Sequence, residues 1–208
     1  MRKWKFLVLT DHSGHSDQNS LYALTRKLVT DPRTAFVFVA SRGDKRNDAF
    51  FAGNIKTSLF GITAKKDFSY DATGDQFKRS DDDMKYTEAD VVWLRLPPPA
   101  DKVFFDKLPS PAPAAPAEPA EVSAPNDKPL VINHPAGILE TGNKSFLHHF
   151  PDFTATVRRV QSKLEVQAFA AKYPIVLKPL QEYGGRGLVR IMDGKAEVDG
   201  EQFPLTDW

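Results

Sequence analysis

Residue types that could handle phosphate gather late in the chain. Ile175-Val176-Leu177-Lys178-Pro179-Leu180 reads as a buried strand ending in a lysine, followed by Tyr183-Gly184-Gly185-Arg186-Gly187 and a second apolar run, Leu188 to Ile191. A strand carries the lysine stem out of the core and leaves its ammonium at a defined point, which suits a phosphate, although a strand-end lysine that snorkels to water has the same sequence. The glycines Gly184, Gly185 and Gly187 let backbone amides approach an anion without Cβ obstruction; a plain hairpin turn would also use them. This loop is neither a Walker A, which needs Gly-Lys-Ser/Thr, nor a dinucleotide fingerprint opening a helix. Lys144 follows Thr141-Gly142-Asn143 where the chain enters a short helical segment; a lysine opposes the macrodipole there, while an anion suits such an end. Arg95 stands at the end of a strand, where open α/β sheets present groups to ligands, and could grip a carboxylate bidentately or form a structural ion pair with a nearby Asp. The loop from Ser13 to Ser20 falls at the same end of the sheet and could hydrogen-bond a polar substrate or serve only as a capped loop.

Other candidates are weaker. His148 and His149 are adjacent, so on a helix they diverge by about 100° and do not form an i, i+4 metal pair. Asp81-Asp82-Asp83 lacks the spaced oxygens and distal Glu of a calcium loop. No Gly-x-Ser-x-Gly elbow supports a hydrolase triad. The absence of cysteine removes disulfides, thiolate catalysis and Cys-ligated metals. A formal net charge of +1 creates no global field for nucleic acid or an anionic membrane. No apolar run approaches the roughly 20 residues of a transmembrane helix, and Phe6 to Leu9 is too short for a signal-peptide core. The expectation is a cytoplasmic protein with a small-molecule or peptide substrate and neither nucleic-acid nor membrane partners; a homo-oligomer is compatible with it.

The elements that must position these groups follow from periodicity. Lys5 to Leu9 and Ala35 to Ala40 read as buried strands around a helix through Leu21, Leu24 and Leu28, capped by Ser16 or Asp17 and stopped at Asp31-Pro32. Such a β-α-β opening favours a parallel pair with a right-handed crossover. Between Ser41 and Glu88 the aromatic residues lack one sustained period, and short strands and loops are expected. Val91 to Leu96 is a strand cut off by Pro97-Pro98-Pro99. Residues 109–128 are almost wholly Pro, Ala, Glu and Ser, a spacer expected to be extended or disordered. Leu130 to Asn133 closes the first domain, and Asn143 precedes a short helix over Lys144 to His149. Ser162 and Glu165 have capping-box spacing, and Asp193-Gly194 and Asp199-Gly200 signal antiparallel hairpins.

Three blocks in this order, Val92 to Asp101 (VWLRLPPPAD), Val131 to Phe150 (VINHPAGILETGNKSFLHHF) and Val176 to Ile191 (VLKPLQEYGGRGLVRI), resemble the prokaryotic glutathione synthetase family of the ATP-grasp superfamily. The resemblance implies an α/β fold: a pre-ATP-grasp parallel-sheet domain over residues 1–134, then the first, incomplete α+β subdomain of an ATP-grasp fold over residues 135–208. By the same resemblance Lys144 and Lys178 match two lysines that contact nucleotide phosphates, and Tyr183, Gly184, Gly185 and Gly187 lie in the glycine-rich loop that closes over them. Arg95 matches an arginine facing the peptide substrate and is the one candidate catalytic residue, while Asn19 and Ser20 fall where the first helix begins beside that substrate. The implied cofactors are ATP and Mg²⁺. The implied chemistry is that of an ADP-forming carbon-nitrogen ligase: γ-glutamylcysteine is phosphorylated to an acyl phosphate, which the amine of glycine attacks, giving glutathione, ADP and phosphate. Leu96-Pro97 stands where the family has a charged pair, and the Pro/Ala spacer where it continues a helix. The metal ligands are expected after Trp208, which leads to the expectation of an incomplete fragment, inactive alone. The alternatives are an ATP-grasp ligase that adds an amino acid to another peptide or protein terminus, and a non-catalytic α/β binding module.

Overall fold

The computed structural model describes residues 2–99, 101–109, 129–180, 182 and 185–207. Its contacts divide the chain into two compact units, Met1–Leu139 and Glu140–Trp208. Most of the Pro/Ala spacer, residues 110–128, lies outside the described residues, as do Tyr183 and Gly184 of the glycine loop.

The first unit runs β1 (Trp4–Thr10), α1 (Ser20–Thr30), β2 (Thr34–Ser41), α2 (Asp48–Phe51), β3 (Ser58–Thr63), α3 (Asp75–Arg79), β4 (Asp83–Lys85), β5 (Val91–Leu94), α4 (Lys102–Lys107) and β6 (Leu130–Ile132), and α5 (Pro135–Thr141) leads out of it. The sheet order is β4-β3-β2-β1-β5-β6. β2, β1, β5 and β6 are parallel, while β3 and β4 add antiparallel strands at one side. Continuous apolar runs suit this arrangement because the parallel strands are covered on both faces. Leu7 and Leu9 join a core with Phe38, Val92, Leu94, Phe50, Phe51, Phe104 and Phe105. Val8 faces the other way, into a core with Val37, Val39, Leu21, Tyr22, Phe68 and Phe77.

That division explains the scattered aromatic residues between Ser41 and Glu88. Phe50, Phe51 and Tyr86 serve one face of the sheet and Phe68 and Phe77 the other, through short elements that do not sustain a period. The segment is therefore not only strands and loops: it contains α2 and α3 as well as β3 and β4. The start of α1 also differs from the expectation. Asn19, rather than Ser16 or Asp17, caps it, its side chain accepting from the Leu21 amide at 2.9 Å. Ser16 instead closes a turn in which its carbonyl accepts from Asn19 N at 3.0 Å. β5 ends at Leu94 rather than Leu96. Arg95 N still donates to Leu9 O at 2.8 Å, so one ladder bond continues before the prolines stop it. α4 was not anticipated; Asp101 caps it, and it buries Phe104 and Phe105. Nor was α5, which begins with proline, a residue already set for a first helical position.

The second unit has single 3-10 segments at Lys144–His149 and Pro151–Phe153, then α6 (Lys163–Ala170), β7 (Ile175–Leu177), β8 (Val189–Met192), β9 (Lys195–Val198) and β10 (Glu201–Pro204). The strands form an antiparallel sheet in the order β10-β9-β8-β7. Both hairpin turns place Asp and Gly at positive φ, 52° and 71° at Asp193-Gly194 and 50° and 88° at Asp199-Gly200. Two consecutive positive φ values match the right-handed twist of the flanking strands. Ser162 caps α6 by accepting from Glu165 N at 3.3 Å, while Glu165 reaches back to the Gln161 amide at 2.7 Å, one residue beyond a standard box. Val166, Ile175, Val189, Ile191 and Ala196 form the core of this unit.

Candidate functional site

In the first unit the candidate groups stand where the parallel strands end. Arg95 follows β5, and its guanidinium donates to Ser20 Oγ at 2.9 Å, at the first residue of α1. The same guanidinium lies over the Trp93 ring, 5.2 Å from its centroid. Burial pulls its pKa below the usual arginine range, which still leaves it charged at any working pH. The structure thus joins Arg95 to Ser20, whereas the Asn19 side-chain oxygen is committed to capping.

The loop between β1 and α1 is tied to the strand ends by groups that sequence reasoning did not single out. Ser41 Oγ, at the end of β2, accepts from the amides of His12 at 2.9 Å and Gly43 at 3.1 Å. Both lone pairs are then used, so the hydroxyl donates to His12 Nδ1 at 2.7 Å and fixes the tautomer protonated at Nε2. This pair is no nucleophile and base: Ser41 is fully buried and its oxygen is spent on amides. Burial would raise the Asp11 carboxyl, but hydrogen bonds from Ser13 and Arg42 outweigh it and hold the pKa below the usual range. Arg42 donates to Asp11 Oδ2 at 2.9 Å and to the carbonyls of Pro97 and Pro99, each at 3.2 Å, which secures the turn after β5.

His15 sits between Thr10 and Tyr22, its Nε2 2.8 Å from Thr10 Oγ1 and its Nδ1 2.7 Å from the Tyr22 hydroxyl. Burial first, then the neighbouring His12 and the Arg95 charge, outweigh the raising effect of Asp11 and lower its pKa to about 4, so the ring is neutral at pH 7. Burial lowers His12 as well. The available sequence signal was positional: Thr10-Asp11-His12 and Ser41-Arg42 stand directly after buried apolar runs, at the ends of adjacent parallel strands.

The second unit gathers the phosphate candidates around Pro179. Lys178 follows β7 and is exposed. Lys144 Nζ donates to Pro179 O at 2.5 Å and to Glu182 O, tying the 3-10 segment to the loop that leaves β7. An ammonium has three donors, so a third N–H remains for another acceptor. Asn143 accepts from Ser145 N at 2.8 Å, so one amide at the entry to this short 3-10 segment is satisfied by the cap residue. Gly185 and Gly187 have φ of 81° and 65°. A Cβ at Gly187 would stand 3.0 Å from Pro179 Cγ, so this turn folds tightly over the residue after Lys178. Lys144 and the described part of the glycine loop thereby meet at Pro179, the residue next in the chain to Lys178. Val176 is exposed on the outward face of β7, and its partner Arg190 is exposed on β8.

His149 packs against Phe146, ring centroids 5.4 Å apart. Among the described residues no group of three or more His, Asp or Glu could hold a metal ion, and no helix is long and apolar enough to cross a membrane.

Comparison with known proteins bears on the same segments. Residues 143–201 match the family model described as prokaryotic glutathione synthetase, ATP-grasp domain. Glutathione synthetase of Escherichia coli O6:H1 is 28% identical over 154 residues, covering 73% of this chain and 43% of that protein. Glutathione synthetase of Anaplasma centrale is 43% identical over 70 residues, covering 33% of this chain and 22% of that protein, and that of Brucella melitensis is 29% identical over 109 residues, 52% and 31%. The chain spans less than half the length of the curated relatives it matches.

Proposed function

We propose that this chain, which belongs to the prokaryotic glutathione synthetase, ATP-grasp family, provides a substrate-facing α/β domain and a phosphate-holding sheet to an ATP-dependent carboxylate-amine ligase. The reaction proposed is the joining of γ-glutamylcysteine and glycine, with the dipeptide carboxylate activated as an acyl phosphate. The observation that carries this reading is the meeting of the Lys144 ammonium and the Gly185–Gly187 turn at Pro179, the residue that follows the strand-end Lys178.

Transfer of a phosphoryl group requires positioning and charge neutralisation more than covalent help. Lys178 supplies a mobile point charge, and Lys144 a positioned one with a donor to spare. The turn at Gly185–Gly187 brings main chain close to the lysines without side-chain obstruction. In the first unit, Arg95 held by Ser20 offers a fixed cation for a carboxylate of the peptide substrate. ATP supplies the phosphoryl group that makes a carboxylate reactive toward an amine. Among the described residues no group of three or more carboxylate or imidazole side chains gathers that could hold Mg²⁺.

Titration calorimetry of the 208-residue chain with ATP tests the phosphate site. Lys178→Ala should weaken binding about tenfold, the equivalent of about 1.4 kcal/mol. Equal affinity of the native and substituted chains would remove Lys178 from the site.

A further inference from the structure

The hydrogen bonds around His15 form a circuit that begins and ends at Arg95. Thr10 Oγ1 donates to the Arg95 carbonyl at 3.4 Å, so it accepts from His15 Nε2–H. His15 Nδ1 then accepts from the Tyr22 hydroxyl. Tyr22 lies on α1 two residues after Ser20, and Ser20 Oγ accepts from the Arg95 guanidinium. Both ends of the arginine residue, main chain and side chain, are therefore fixed through one imidazole. The covalent path from the end of β1 to α1 is the loop from Asp11 to Asn19; Asp11 and His12 tie it to the end of β2, and His15 supplies the side-chain bonds that join it to β1 and to α1.

We propose that His15 is a positioning residue: it fastens α1 to the end of β1 so that Ser20 holds the Arg95 guanidinium ready for a carboxylate of the substrate. This rests on the reading of Arg95 as substrate-facing. The circuit needs a ring with one donor nitrogen and one acceptor nitrogen, which is neutral imidazole. A second proton on the ring leaves two donors, and the Tyr22 hydroxyl must then accept from Nδ1 and turn its own hydrogen away, losing that acceptor. The charged and titratable groups around the circuit are Asp11 and His12 on the loop, Arg95 after β5, and Tyr22 on α1, itself flanked by Tyr70 and Asp71. Phe77 closes the ring's remaining side.

The test compares the native 208-residue chain with His15→Phe, His15→Gln and Arg95→Ala. Phenylalanine fills the space with no nitrogen, and glutamine offers a donor and an acceptor that do not titrate. Exchange of the Arg95 Nη2–H protons, which are donated to Ser20, with solvent, followed by NMR, should accelerate about tenfold in His15→Phe and return toward the native rate in His15→Gln. Unchanged exchange in His15→Phe overturns the proposal whatever the ligand does. Titration with γ-glutamylcysteine should show affinity lost in Arg95→Ala, lowered about tenfold in His15→Phe and recovered in His15→Gln. If Arg95→Ala binds as the native chain does, the substrate-facing reading of Arg95 falls, whereas loss in Arg95→Ala beside native affinity in His15→Phe sinks only the positioning role. Should the phenylalanine variant not fold, the glutamine variant decides. Protection of the Arg95 protons, taken relative to the free-arginine rate at each pH, that falls between pH 6.5 and 4 in the native chain and holds in His15→Gln supports the circuit, and an equal fall in both overturns it.

Discussion

Replacing each phosphate-site lysine by methionine should separate the two by what they do to the protein itself. Met keeps most of the aliphatic stem and removes the charge. At Lys144 the lost ammonium leaves the carbonyls of Pro179 and Glu182 without that donor. Hydrogen bonds from charged groups are worth about 1.5–3 kcal/mol when buried. Both carbonyls lie in a partly exposed loop and can be rehydrated, so the pair is worth about 1 kcal/mol here. Lys178 has no hydrogen bond or ion pair among the described residues, and a surface substitution of that kind should stay within about 0.5 kcal/mol. Native-state hydrogen exchange at the amides pairing β7 with β8, from Ile175 to Leu177 and Val189 to Ile191, reads the difference locally. We predict that protection there falls about fivefold in Lys144→Met and hardly at all in Lys178→Met, because 1 kcal/mol is about a factor of five in population. ATP affinity should fall in both. A loss of protection in Lys178→Met equal to that in Lys144→Met would show that the two lysines do not divide the work between loop anchoring and ligand charge, and the assignment would be withdrawn.

Three further outcomes are expected. His15 has a native pKa of about 4 against an ordinary 6.5, so below pH 6.5 the unfolded chain takes up the proton first; its contribution is full above that pH and is lost as pH falls toward 4, on the order of 2 kcal/mol for this partly exposed ring. Urea melts at pH 7, 5.5 and 4.5 should show that slope in the native chain and a shallower one in His15→Gln, and equal slopes would argue against a native ring of low pKa. Asn47 is fully buried, donates to the carbonyls of Ser41 and Phe60 and accepts from Phe60 N at 2.7 Å; Asn47→Ala should cost about 2–4 kcal/mol in a urea melt by stranding those groups, and a cost below 1 kcal/mol would contradict it. Gly61 faces β2 so closely that a Cβ would stand 2.4 Å from Val39 O; Gly61→Ala must push strands apart and should lower stability by about 2–3 kcal/mol, an expectation that an unchanged denaturation midpoint would refute.

Sequence alone was enough for features that depend on neighbours along the chain. Leu7 to Leu9 and Val37 to Ala40 are apolar without interruption, which only a strand covered on both faces accommodates, and the parallel pairing of β1 with β2 follows. The two Asp-Gly pairs fix the hairpins of the second sheet because few other residues accept two positive φ values in succession. Likewise Lys178, Arg95 and the glycine loop could be picked out by their positions after strands. What those side chains touch was decided elsewhere in the chain. Lys144 reaches carbonyls 35 and 38 residues on, Arg95 finds Ser20 across 75 residues, and the cap of α1 moved to Asn19 because Ser16 was taken by a turn. Phe50 and Phe77 show the same limit, since nothing local tells which face of the sheet each will fill. The His15 circuit lies furthest from the sequence's reach: its three side chains are near neighbours in the chain, but their meaning comes from Arg95, which only the parallel pairing of β1 with β5 brings beside Thr10. Periodicity and turn chemistry are short-range physics and can be read residue by residue, whereas hydrogen-bond partners across strands exist only once burial has fixed the register.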